Sequence, residues 1–111
     1  MKEKIILKVK DILNTDILHD PDLGHTLFLV VSEYLNEANK IVLDFKDIKF
    51  VNNAFFNNSI GKLLLLDNFD IKNNNLAFLN MSETGLELLR ETVLSAQDKR
   101  KKDMLRKEEN K

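Results

Sequence analysis

The sequence predicts an α/β domain: a small sheet of about four strands, helices packed mainly on one face, and an extended C-terminal helix. Near the start, apolar and polar residues alternate with the period of a strand that has one face buried. Further on, Ile41 to Phe45 is apolar except for Asp44, which reads as a strand covered on both faces and so a central one. Between and after the strands, apolar residues recur at helical spacing, and such alternation calls for a mixed or mainly parallel sheet. With 111 residues there is room for one core and no second globular domain. Residues 1–96 are read as that domain and 97–111 as a charged helical extension or tail.

Taken in order, Ile5, Leu7 and Val9 alternate with Lys4, Lys8 and Lys10, as in an edge or near-edge strand whose lysines discourage edge-to-edge pairing. Asp11 to Asp22 mixes apolar residues with Asn14, Asp16, Asp20 and Pro21, a short extended piece followed by a loop. Asp22 is read as a helix cap, after which Leu27, Val31, Leu35 and Ala38 form one stripe, widened by Phe28 and Tyr34. Asn36 to Lys40 then turns the chain into the central strand. A second extended piece, Ile48 to Val51, precedes Asn52 and Asn53, whose side-chain oxygens suit a helix start. In that helix Phe56, Ile60, Leu63 and Leu64 face the sheet, while Asn57, Asn58, Lys62 and Asp67 look away. Gly61 inside it predicts a close helix-to-strand approach. Asn68 to Asn75 is a polar connection anchored by Phe69 and Ile71, and Leu76 to Leu79 is the next core strand. Ser82, and Thr84 with Glu87 at capping-box spacing, open a last helix with the stripe Leu86, Leu89, Val93 and Ala96.

Composition narrows the function classes. A formal net charge of −1 argues against bulk attraction to nucleic acid or anionic membrane. Without cysteine there is no disulfide framework, thiolate zinc site or cysteine nucleophile. Residues 1–10 lack the features of a secretory signal, and the cytoplasm is the expected location. His19 and His25, near Asp16, Asp20 and Asp22, sit in a loop rather than on the rigid face a metal site needs. Gly24, Gly61 and Gly85 are isolated, so they make neither a dinucleotide fingerprint nor a phosphate loop. Ser32, Ser59, Ser82 and Ser95 lack a glycine-flanked elbow. No enzyme activity, metal or cofactor is expected.

Several residues of the central stretch carry a resemblance. The strand ending in Asp44-Phe45, the turn Asn53-Ala54-Phe55 and a helix containing Ile60-Gly61-Lys62-Leu63 are similar to the STAS-like domain of unknown function, a bacterial relative of the anti-sigma factor antagonists. Leu76 to Leu79, Asn80-Met81 and the last helix to Arg100 resemble its downstream pattern. Residues 1–40 match in element order only. In the antagonists a serine at the start of this helix is phosphorylated by a partner that resembles the histidine-kinase ATPases. A phosphate there meets free N–H groups and the positive end of the helix dipole. Here Asn53 and Ala54 stand in the serine positions, and Asn57-Asn58 replaces the acidic pair of typical relatives. Asp44 is read as scaffold that accepts hydrogen bonds from the following turn.

The resemblance implies a regulatory, non-enzymatic module that contacts a protein partner, a histidine-kinase-like ATPase or another regulator, through Asn52, Asn53, Asn57, Asn58 and Lys62. Phe55 is either an exposed anchor of that surface or a core plug at the turn. The alternative is a nucleic-acid-associated regulator using Lys99, Arg100, Lys101 and Lys102. Residues 97–111 hold seven basic and four acidic residues, a net of +3, against −4 for the rest. Interspersed acids and the lack of aromatic residues in the tail weigh against this alternative. Met104 and Leu105 also offer a helix-in-groove contact with another subunit, as in a homodimer.

Overall fold

The computed structural model describes residues 4–35, 40–66 and 76–109. Within them the chain runs β1 (Lys4–Lys8), α1 (Val9–Leu13), β2 (Ile17–Leu18), α2 (Pro21–Tyr34), β3 (Lys40–Asp44), β4 (Phe50–Val51), α3 (Asn53–Asn58), α4 (Ile60–Leu64), β5 (Leu76–Leu79) and α5 (Glu83–Glu109). The class is α/β as expected. The described strands divide into a three-stranded parallel sheet in the order β1-β3-β5 and a two-stranded parallel pair, β2 with β4. The apolar run from Ile41 is thus the centre of the larger sheet, with Ile41 paired to Ile5 on one side and Leu76 on the other.

Alternation along the strands sorts side chains by face. Ile41, Leu43 and Phe45 enter the core together with Val9, Leu18, Leu27, Val31, Phe55, Phe56, Ile60 and Leu63, with Ile5, Leu7 and Phe78 packed against it. The helices cover this side. Phe45 and Phe56 lie with ring centroids 6.1 Å apart, and Phe55 meets Phe56 edge-on at 5.8 Å, which ties α3 to the sheet.

Local chemistry departs from the sequence reading at several points. Val9 leaves the strand pattern to open α1, a helix where only an extended piece and loop were expected; Val9 and Leu13 are its buried residues, and Asn14 ends it in a left-handed conformation (φ 54°). The cap of α2 is Asp20, not Asp22: its carboxylate accepts from the Asp22 amide at 2.8 Å, which leaves Pro21 in the first helical position, where its missing N–H costs nothing. α5 is capped by Ser82, whose hydroxyl accepts from the Gly85 amide at 3.0 Å, so Thr84 lies inside the helix. On α5, Leu89, Val93 and Ala96 pack inward as the stripe predicts, but Leu86 is exposed and buried Thr92 takes its share of the face.

The close approach expected at Gly61 occurs at Gly24 instead. A Cβ on Gly24 would stand 2.5 Å from the Phe55 carbonyl oxygen and 3.0 Å from Asn58 Cβ, so α2 can approach α3 only because position 24 is glycine. Gly61 faces α5 rather than a strand, and a Cβ there would meet Thr92 Cγ2 at an ordinary 3.5 Å. Ala38, the Asn36 to Lys40 turn before its last residue, Asp67, and the Asn68 to Asn75 connection with Phe69 and Ile71 lie outside the described residues.

Candidate functional site

The helix expected after Asn52 is interrupted. Asn52 caps α3, its Oδ1 accepting from the Phe55 amide at 3.0 Å, and its Nδ2 donates to the His19 carbonyl at 3.1 Å. One side chain therefore starts the helix and pins it to the segment after β2. At Ser59 the backbone leaves helical geometry (φ −108°, ψ −83°), and its amide and hydroxyl both donate to the Phe55 carbonyl, at 3.0 and 2.8 Å. Such back-bonding bends helices, and here it separates α3 from α4. Ser59 is fully buried.

These bonds split the predicted surface. Phe55 is fully buried and belongs to the core, its ring edge-on to Phe56, so the exposed-anchor reading is corrected in favour of the core plug. Asn52 and Asn58 are half-buried and occupied within α3, Asn58 Nδ2 donating to the Ala54 carbonyl at 2.8 Å. Asn53 and Asn57 are exposed. Lys62 reaches across to α2, where its Nζ stands 3.2 Å from His25 Nδ1 and 6.0 Å from the centroid of Phe28. An ammonium can only donate, so Nδ1 accepts. His25 in turn stacks on Phe28, with centroids 5.9 Å apart, and Leu29, one residue further on, is half exposed. Nothing in the sequence pattern joins His25 to Lys62; the packing of α2 on α3 and α4 does.

Between α4 and α5 a groove of about 240 Å³ opens beside Asn57, with Gly61, Thr92 and Ala96 lining it and Lys99 on its far side. Small side chains on both helices leave the space. A second cavity, about 590 Å³, lies at the carboxyl ends of β3 and β5, walled by Phe45, Ile48, Phe50, Asn80 and Met81 with Ser82 at the start of α5. Carboxyl ends of parallel strands are where open α/β sheets receive ligands. Sequence reasoning passed over this hollow, although the Asn80-Met81-Ser82 run between strand and helix is a signal for it.

Asp44 sits at that end as scaffold. Its Oδ1 accepts from Asn80 Nδ2 at 2.8 Å and from the Lys46 amide at 2.9 Å. The Asn80 bond, opposed by burial and helped by the Lys46 amide and by the charges of Lys8 and Lys46, holds the carboxyl below its usual range. Asn80 takes a left-handed backbone (φ 58°), a conformation asparagine tolerates.

The basic cluster is dispersed rather than gathered. Arg100 turns back onto the end of α4, its guanidinium donating to the Leu64 and Leu66 carbonyls at 3.0 and 3.3 Å. Lys102 pairs with Asp98 at 3.2 Å, Lys99 lines the groove, and Lys101 is exposed. α5 continues unbroken through position 97, so the expected boundary between domain and tail falls inside a helix. Leu105 is exposed. His19 and His25 take separate roles, and among the described residues no three His, Asp or Glu side chains gather as a metal site. Among the same residues no helix is long and apolar enough to cross a membrane.

A family model described as a STAS-like domain of unknown function matches residues 24–86, more than half of the chain, from early α2 to the first turn of α5. No curated protein and no solved structure matches the chain.

Proposed function

The chain belongs to the family of STAS-like domains of unknown function, and from that premise we propose that it is a non-enzymatic regulatory module that binds a protein partner through the outer side of α3 and α4. The observation that supports this most is the groove between α4 and α5, which runs beside exposed Asn57 and is floored by small residues. A groove of that kind accepts an apolar side chain, while the Asn57 amide and Lys99 in its lining supply hydrogen bonds and one charge for orientation. His25 and half-exposed Leu29 extend the surface onto α2.

The partner is a regulator of the class that the resemblance implies, a histidine-kinase-like ATPase among them. Control here differs from that of the antagonists. Asn53 and Ala54 offer no hydroxyl, and the hydroxyl of Ser59 is buried and bonded to the Phe55 carbonyl. Association, rather than phosphate addition at this turn, is the regulated step.

Affinity capture of the full-length protein from its native lysate at moderate salt tests the proposal, with Asn57→Arg/Lys62→Glu as the comparison. Both substitutions lie on the surface and leave the fold intact. A protein partner held by the parent and lost by the variant supports the module. Recovery by both of the same nuclease-sensitive material, abolished by Lys99→Glu/Lys101→Glu, would transfer the function to the basic part of α5. Those two lysines are the ones to change, because removing residues 97–111 would also remove the Arg100 bonds to α4.

A further inference from the structure

α5 outruns the domain it packs on. Leu89, Thr92, Val93 and Ala96 set its inner side, and Arg100 closes that contact with its two bonds to the end of α4. The helix nevertheless continues to Glu109, about 13 Å further, and Lys101, Lys102, Asp103 and Leu105 are all exposed. A helical end without tertiary packing is marginal in water, so this one calls for a surface to lie against.

At 3.6 residues per turn, Leu94, Asp98, Lys101 and Leu105 fall within about 60° of one another, on the side of α5 opposite Leu89, Ala96 and Arg100. All four are exposed, Leu94 by 59% and Leu105 by 52%. Their spacings of four, three and four are those of a seam between two helices. From either end the seam runs apolar, charged, charged, apolar, and its two charges are of opposite sign. It is therefore its own complement when two copies meet antiparallel.

We infer that this outer face of α5 docks a second copy of the chain, antiparallel, with Leu94 against Leu105 of the partner subunit and Asp98 against Lys101 of the partner subunit. A two-fold axis between Lys99 and Arg100 makes each pair occur twice, as a contact between identical surfaces requires. Charge sets the direction. Parallel helices would stack Asp98 on Asp98 and Lys101 on Lys101, which repel. Asp98 meets Lys102 of its own helix at 3.2 Å, but the two side chains are 63% and 71% exposed, and such a pair contributes little and leaves the second carboxylate oxygen open. Lys101 has no ion-pair partner among the described residues. The same axis lays residues 101–109 of one copy along 90–98 of the other, the stretch that the domain holds from behind. Residues 90–98 carry one base and two acids, a net −1, and residues 101–109 four bases and three acids, a net +1, so the flanks agree in sign with the seam. This face is turned away from the groove beside α4 and does not depend on the proposal made for that groove.

A contact of this size is weak, so the test is sedimentation equilibrium of the full chain from about 10 µM to about 1 mM, where a monomer and dimer should exchange. Asp98→Lys and Lys101→Asp should each weaken association at least about tenfold, and Asp98→Lys/Lys101→Asp should restore it, because the exchanged charges complement again. All these positions are exposed, so the monomer should keep its circular dichroism. Register is read by disulfide trapping, since the chain has no cysteine of its own. In an equimolar mixture of Leu94→Cys and Leu105→Cys chains, the mixed disulfide should exceed either symmetric one. A monomer at every concentration, single reversals without effect, a double reversal that does not restore the dimer, or symmetric links in excess of mixed ones would each overturn the inference.

Discussion

Val42 and Leu43 are neighbours in β3, both apolar and both buried, yet they belong to different environments. Leu43 enters the core under α2, α3 and α5, whereas Val42 lies on the face that carries half-exposed Ile6 and Leu79. Both are shielded from solvent, but among the described residues only Leu43 belongs to the cluster that the helices enclose. Burial along a strand therefore measures how many neighbours surround a residue and not which layer provides them.

The strongest way to break this comparison is to truncate each face in turn. Leu43→Ala should cost about 2–5 kcal/mol in urea unfolding, since it empties space inside a closed core. Ile6→Ser should stay within about 0.5 kcal/mol, as an exposed substitution does. A loss at Ile6 comparable with that at Leu43 would mean that the second face is already covered in the free protein.

The helix layer on the closed face can be sharpened with its two glycines. Gly24→Ala should destabilise by about 1–3 kcal/mol, because the new Cβ meets a backbone oxygen at 2.5 Å and α2 must move. Gly61→Ala should have the opposite sign, raising stability by up to about 1 kcal/mol through helix propensity, as its nearest neighbour stands at 3.5 Å. Thermal melts of both variants suffice.

At the carboxyl end of β3 the polar anchor is Asp44. A carboxyl held below its unfolded value contributes stability that is complete above the usual carboxylate range and disappears as pH falls through the folded value. Asn80→Ala removes the largest cause of that depression. It should cost about 1–2 kcal/mol near neutrality and shrink the acid-side dependence, readable as the difference between unfolding midpoints at pH 7 and pH 3. A dependence that stays at full strength would show that Asn80 is not what holds the carboxylate.

The smallest effects separate asparagines within one turn. Asn52→Ala should lose about 1 kcal/mol with the cap of α3, while Asn57→Ala should leave stability within about 0.5 kcal/mol. If Asn57→Ala proves as damaging as Asn52→Ala, Asn57 is structural and the surface beside α4 loses its main polar contact.

Much of this architecture was legible in the chain itself. Alternating Lys and Ile or Leu near the start, the run Ile41 to Phe45 and the spacing of Phe56, Ile60, Leu63 and Leu64 depend on local periodicity, which the sequence records directly. Asp44 as an acceptor for the following turn is local too, two residues from its Lys46 donor. The candidate surface was legible as a region but not as a set of side chains. Asn52, Asn53, Asn57 and Asn58 are one residue type, and only their partners distinguish the cap from the exposed amides.

By itself, then, the sequence determined the α/β class, the central place of Ile41 to Phe45 and the start of α3 at Asn52, because each depends on residues a few positions apart. Tertiary structure alone decided that Phe55 is core, that Gly24 rather than Gly61 permits the close approach, that Arg100 closes α4, and that Lys62 meets His25. Those outcomes join residues about 30 or more positions apart, and contacts across such separations arise from how helices stack on a sheet, a geometry that no local pattern encodes.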